Sequence, residues 1–234
     1  MIFLLFLVSF VSSHTLVMIG GGSRPSIALQ AMVKSLPKKQ ATLAILPWGS
    51  EIPEELCEIM TKEFHEAGAQ QVICVLSNDS DIYAKVSKAD GLYFPGGDQN
   101  KIMKVIKTYH LQTLIQKKFA HNLVVGGTSA GTAIQSVLML TGKESEVAEG
   151  LGLFKECIVD QHFLVRERQE RLKSAIKQAK KCGLGIDEST AVIKNNNELL
   201  VVGQTEVWFY PKNKTKPIII KKNQRFLLQD HHLR

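Results

Sequence analysis

The sequence contains no C-x-x-C pair, no Walker-type lysine and no G-x-G-x-x-G spacing. The first absence removes the usual zinc and dithiol-redox frameworks, although Cys57, Cys74, Cys157 and Cys182 are present. The other two remove nucleotide binding as the first reading of the glycine-rich loops. No arginine stripe interleaves with aromatic residues. The formal charge is +7, but much of the excess is scattered through Lys180-Lys181 and the tail lysines 212, 214, 216, 221 and 222. A solvated basic surface is therefore expected, not a nucleic-acid interface, and an acidic polymer stays open as a partner. No repeat, low-complexity segment or linker divides the chain, and residues 14–234 suit one domain.

Long apolar runs are also scarce. The one at the start, residues 2–11, is too short to span a bilayer and ends in Ser12-Ser13. It has the form of a signal-peptide core followed by small residues, although no Lys or Arg precedes it. Residues 1–13 are thus expected to be an export leader, with a periplasmic or secreted chain starting near His14 or Thr15. Without a leader the chain would be cytoplasmic. The cysteines read as buried or idle thiols, Cys74 serving as a small hydrophobe in an apolar segment. Export would permit a disulfide, but the spacing names no pair.

What is present is a regular alternation. Strand-like segments at 16–19, 41–46, 71–76, 91–94 and 123–125 are separated by helix-like ones at 25–34, 54–67, 82–87 and 101–119. Such alternation implies a mainly parallel α/β sheet with helices on both faces. After Ser189 the pattern becomes hairpin-like, with strands at 191–194, 198–202 and 206–210. Glycine-rich loops follow three strands, where α/β sheets place their ligands.

One of these loops, Gly127-Thr128-Ser129-Ala130-Gly131, is a G-x-S-x-G between a strand and a helix expected from Ala133 onward. That is the pattern of a nucleophile elbow: the glycines leave room for a strained serine, and the helix start points N–H groups at it. A tightly packed βα turn would look the same. A nucleophilic serine needs a base. Of seven histidines, His162 alone follows a short strand, 156–160, so that it emerges at the same sheet end as Ser129. Arg166, Arg168 and Arg171 then crowd the start of a helix running to about 181. Cations oppose the dipole there, so ligand binding is favoured over a face neutralised by Glu167 and Glu170. Glu188 follows a further short strand. It could orient the histidine, or Asp187 and Glu188 could simply cap a turn.

Four motifs carry a resemblance. Phe94-Pro-Gly-Gly-Asp-Gln99, Gly126-Gly-Thr-Ser-Ala-Gly-Thr-Ala133, Asp160-Gln-His-Phe-Leu-Val-Arg-Glu-Arg168 with Arg171-Leu172, and Gly185-Ile-Asp-Glu-Ser-Thr-Ala191 occur in this order. Together they resemble the cyanophycinases, in the serine peptidase family that also holds the aspartyl dipeptidases called peptidase E. The resemblance implies a class I glutamine-amidotransferase-like fold, with Ser129 as nucleophile, His162 as base and Glu188 as orienter. An acid among Glu144, Glu146 and Glu149 competes for the last role. The order Ser, His, Glu also argues against a lipase or esterase. Thr132 stands where family members often carry alanine.

Cyanophycin has an aspartate backbone with arginine amide-linked to its side chains, so each repeat offers a carboxylate and a guanidinium. Arg166, Arg168 and Arg171 would take carboxylates through forked bonds. Asp98, Gln99, Asp160 and Gln161 would take guanidinium or backbone groups. The oxyanion would lie between backbone N–H groups of Ala130 and Gly97. No metal or organic cofactor is required, and a homodimer is compatible. The expectation is a serine exopeptidase releasing β-Asp-Arg dipeptides. The alternatives are an aspartyl dipeptidase for small peptides and a non-catalytic peptide-binding module.

Overall fold

The computed structural model describes residues 14–229 and the backbone of 232–233. The proposed leader, 1–13, lies outside the described residues. Strand β1 (Thr15–Ile19) leads through a glycine loop into α1 (Ser26–Lys34), then β2 (Thr42–Ile45), α2 (Pro53–Glu66), β3 (Gln71–Cys74), α3 (Ile82–Lys88) and β4 (Gly91–Phe94). Next come α4 (Gln99–Thr108), α5 (Leu111–Phe119), β5 (Val124–Thr128), α6 (Ala130–Ala133) and the β6 (Leu138–Leu140), β7 (Val147–Glu149) pair. Then follow β8 (Cys157–Gln161), α7 (Gln169–Ala179), β9 (Cys182–Ile186), β10 (Thr190–Asn195) and β11 (Glu198–Gly203). The chain closes with β12 (Val207–Tyr210), β13 (Ile218–Ile220), β14 (Arg225–Leu227) and β15 (His232–Leu233).

The large sheet has the order β15-β14-β11-β10-β1-β5-β4-β2-β3. From β1 to β3 it is parallel, and from β10 outward antiparallel. Its strands are apolar on both sides because both faces are covered. Along β1, Val17 and Ile19 pack with Met32 and Phe64 of α1 and α2, while Leu16 and Met18 join the layer holding Ile102 and Ile115 of α4 and α5. A second sheet, β13-β12-β9-β8, is parallel between β8 and β9 and carries α7.

Four local expectations are corrected. The helix expected over 101–119 is two helices, α4 and α5, because His110 adopts the left-handed conformation at φ 53°. The elbow helix begins at Ala130, earlier than expected, and lasts one turn. The strand at 206–210 does not pair back on β11; after Gly203 and Gln204 the chain crosses to the second sheet and pairs with β9. Finally, the cysteines are bridged: Cys57 with Cys74, and Cys157 with Cys182. Cys57 on α2 packs against β3, where Cys74 lies, and Cys157 and Cys182 are directly opposite in the β8–β9 register. Neither proximity follows from spacing in the chain.

Candidate active site

Ser129 sits between β5 and α6 with φ 53° and ψ −111°, a conformation that costs a non-glycine residue energy and is held by its surroundings. The flanking glycines are required by close approach. A Cβ on Gly131 would overlap the Phe94 carbonyl, and one on Gly127 would overlap Gly131. The buried Thr132 hydroxyl lies 2.7 Å from the carbonyl oxygens of both Ile19 and Gly127, which ties the elbow to β1. An alanine there would lack that tie.

His162 follows β8 and its Nε2 lies 2.7 Å from Ser129 Oγ. Glu188, two residues beyond β9, brings Oε1 to 2.6 Å from His162 Nδ1. A carboxylate can only accept, so Nδ1 carries the hydrogen and Nε2 is free to receive the serine proton. Burial lowers the His162 pKa; the hydrogen bond that His162 donates to Glu188 opposes this, and the nearby Arg166 and Arg168 charges add to the lowering. The imidazole is thereby kept neutral, the form a general base needs.

The competing acids lie elsewhere. Thr141 donates to Glu146, and Gln112 and Lys107 engage Glu149. Glu144 has no side-chain partner among the described residues. Asp187 accepts the backbone N–H groups of Leu164 and Val165 at 3.0 Å each, so it is a turn-capping residue that braces the loop after His162.

The expected substrate residues divide into two groups. Asp160 is fully buried. Its carboxylate lies 3.3 Å from both Arg168 Nη1 and Arg171 Nε. Arg168 also donates to the Gln161 carbonyl, and Arg171 to that of Thr141. Burial pushes the Asp160 carboxyl up to about 6 despite the two arginines, which pull the other way. Gln161 is buried beside it, its side-chain oxygen without a hydrogen bond among the described residues. Gln99 is buried too and donates to the Leu140 carbonyl. Asp98 caps α4, accepting from Asn100 and Lys101. Arg166, by contrast, is exposed and has no side-chain partner among the described residues, yet its charge is felt at His162.

Gly97, at φ 123°, fits against the Gly49 carbonyl where no Cβ could stand, and a Cβ on its neighbour Gly96 would lie 3.7 Å from Ser129 Cβ. The Gly96-Gly97 turn is therefore beside the serine, as is the start of α6 at Ala130. Sequence reasoning assigned nothing to Gly21 and Gly22, which press on His162 and Glu188. The glycine run after an apolar strand was the available signal. Among the described residues, no group of His, Cys, Asp and Glu side chains could hold a metal ion, and no helix is long and apolar enough to cross a membrane.

Known proteins share this arrangement of chain. Residues 10–202 match the sequence profile of Peptidase family S51. A cyanophycinase from Synechococcus elongatus is 28% identical over 214 residues, covering 82% of this chain and 66% of the relative. One from Geminocystis herdmanii is 31% identical over 185 residues, covering 71% of this chain and 68% of the relative. This chain thus spans about two thirds of the length of these relatives. Among solved structures, a peptidase from an acI-B1 actinobacterium superposes with a TM-score of 0.71 at 18% identity, over 91% of this chain and 96% of the other. A putative peptidase E protein from Listeria monocytogenes does so at 0.64 and 17%, over 82% and 100%. At these identities the two structures speak for the fold.

Proposed function

This chain belongs to peptidase family S51, and from that premise we propose that it is a serine exopeptidase cutting aspartyl peptide bonds, with cyanophycin as substrate and β-Asp-Arg dipeptides as product. The observation that carries the reading is the unbroken line from Ser129 Oγ through the His162 ring to Glu188 Oε1. In this reading Ser129 Oγ attacks the scissile carbonyl carbon while His162 Nε2 takes its proton. Glu188 holds the ring in the needed tautomer and stabilises the imidazolium. The carbonyl oxygen, now negative, is received by the N–H groups of Ala130 and Gly97. His162 then protonates the leaving amine, and water releases the acyl group by the same steps in reverse.

Substrate recognition is assigned first to Arg166, whose guanidinium is free to take a carboxylate at the mouth. Arg168, Arg171 and Asp160 act together as a charged wall behind it, and Asp98 rims the other side. The same pairing favours a second reading. If Arg168 and Arg171 remain committed to Asp160, a single free arginine suits a small aspartyl peptide as well as a polymer. Two disulfides and the leader-like residues 1–13 support an exported protein, since disulfides persist in oxidising compartments.

Incubation with cyanophycin and, separately, with Asp-X dipeptides, with products identified by mass, tests the assignment. β-Asp-Arg from the polymer supports the first reading. Cleavage of dipeptides alone supports the second, and cleavage of neither by folded protein refutes both.

A further inference from the structure

Ser129, His162 and Glu188 emerge from three strands that belong to two different sheets: β5 in the large one, β8 and β9 in the small one. Displacement of a reacting group by about 1 Å can cost about 100-fold in rate, so the sheets must be held in register at this point. The segment leaving β1 lies between them. The Ile19 carbonyl accepts the Ser129 N–H at 2.9 Å, the Gly20 carbonyl accepts the His162 N–H at 2.9 Å, and the Gly21 carbonyl accepts the Ser189 N–H at 2.8 Å. Three successive carbonyls therefore bind the backbone of the nucleophile, the base and the residue next to the acid. The Gly20 N–H adds a bond to the Thr190 carbonyl at 3.0 Å.

The side chains of that segment are absent for the same reason. Gly21, at φ 139°, lies close against the imidazole, and a Cβ there would overlap the His162 ring. Gly22, at φ 62°, would place a Cβ 3.0 Å from Glu188 Cβ. A Cβ on Gly20 would strike the Asp187 carbonyl. Bare backbone is thus the wall on which the ring and the carboxylate rest.

We propose that residues 19–22 are the positioning element of the catalytic line: their carbonyls set the spacing of the three residues, and Gly21 fixes the imidazole within reach of Ser129. This rests on the serine peptidase reading above and adds residues that act through Ser129, His162 and Glu188. Ordinary tight packing of a βα turn would predict a loss of stability on substitution. The positioning role predicts a loss of reactivity in protein that remains folded.

The test compares Gly21→Ala with Gly68→Ala, a control that also carries a positive φ, 102°, but has nothing within 4 Å of the added Cβ. Reactivity is read without any peptide substrate, from the rate at which an alkyl fluorophosphonate labels Ser129. The serine oxygen bonds to phosphorus, fluoride leaves, and His162 accepts the proton. Gly21→Ala should label about 100-fold more slowly than the parent, while Gly68→Ala labels at the parental rate. The pH dependence of labelling should also change in Gly21→Ala, because the base is displaced. A folded Gly21→Ala that labels within about threefold of the parent overturns the proposal. If Gly21→Ala does not fold, Gly22→Ala decides, since it crowds only Glu188: parental labelling there overturns the proposal, and slowed labelling with an altered pH profile supports it. A parent that is not labelled at Ser129 would remove the serine reading itself, and a labelled parent that cleaves no aspartyl peptide would leave the positioning role standing while refuting the substrate.

Discussion

Two contacts between a carboxylate and nitrogen lie at the end of β8. His162 meets Glu188, and two residues earlier Asp160 meets Arg168 and Arg171. The chemistry of pairing is alike, but the surroundings are not. The Glu188 side chain is 38% exposed and its partner can lose or gain a proton. The Asp160 side chain is 0% exposed and its partners are guanidiniums, which do not give up theirs. The first pair is therefore placed to pass a proton near neutral pH, while the arginines of the second keep theirs. Buried fixed charge is a poor source of stability, yet breaking it by removing one partner is expensive.

The largest effect expected is chemical. Ser129→Ala should keep its melting temperature and lose about 10⁴-fold or more in kcat/KM, as loss of a triad nucleophile does; substantial turnover by that variant would show that Ser129 is not the nucleophile. Glu188→Gln comes next, losing about 10²- to 10⁴-fold because the ring can no longer be held in the productive tautomer. If Glu188→Gln behaves as the parent, the acid is elsewhere.

On the other side of the comparison the cost should appear in stability. Arg171→Gln leaves the buried Asp160 carboxylate half-compensated, and about 3 kcal/mol of stability should be lost near neutral pH. That corresponds to a fall of roughly 6–12 °C in Tm for a chain of this size, with turnover per folded molecule changing far less. The loss should shrink below pH 6, because the Asp160 carboxyl, pushed up to about 6, takes a proton there in the folded state. For the same reason Asp160→Asn should be milder than Arg171→Gln. Denaturant melts at pH 7.5 and pH 5 check both statements. Arg166→Gln should show the reverse pattern, with stability intact and kcat/KM lowered about five- to tenfold, modest because the site is open to solvent.

The smallest effect concerns pH. Since burial lowers the His162 pKa, the acid limb of kcat/KM should lie below the ordinary histidine value of about 6.5. Stability carries the matching sign: as pH falls from about 6.5 toward the lowered folded value, the unfolded chain binds the proton first, so His162 makes the fold less stable in acid. An acid limb above about 6.5 would show that Glu188, not burial, dominates the ring.

The juxtaposition of Ser129, His162 and Glu188 was legible because each has a local signal: a serine between glycines, and a histidine and a glutamate just beyond apolar strands. The role of Asp160 was not. Its contacts depend on residues 162–168 turning back over β8, and on Asp187 holding that turn from just beyond β9. A chain position records charge and not burial, so the contacts of Asp160 with Arg168 and Arg171 left no mark in the sequence. Disulfide partners were hidden likewise, Cys157 and Cys182 meeting only through the register of β8 with β9. The interruption at His110 carries no glycine or proline to announce it.

The place of β1 in the sheet has a consequence for the order of assembly. It precedes the other described strands, but its two neighbours, β5 and β10, end only at Thr128 and Asn195. During synthesis or passage through a translocon, the first strand must therefore wait for most of the chain before it has both partners. Ser129, His162 and Ser189, the neighbour of Glu188, are hydrogen-bonded to the end of that strand and the two glycines after it. The side chains of Ser129, His162 and Glu188 therefore come into line only after most of the chain has been made.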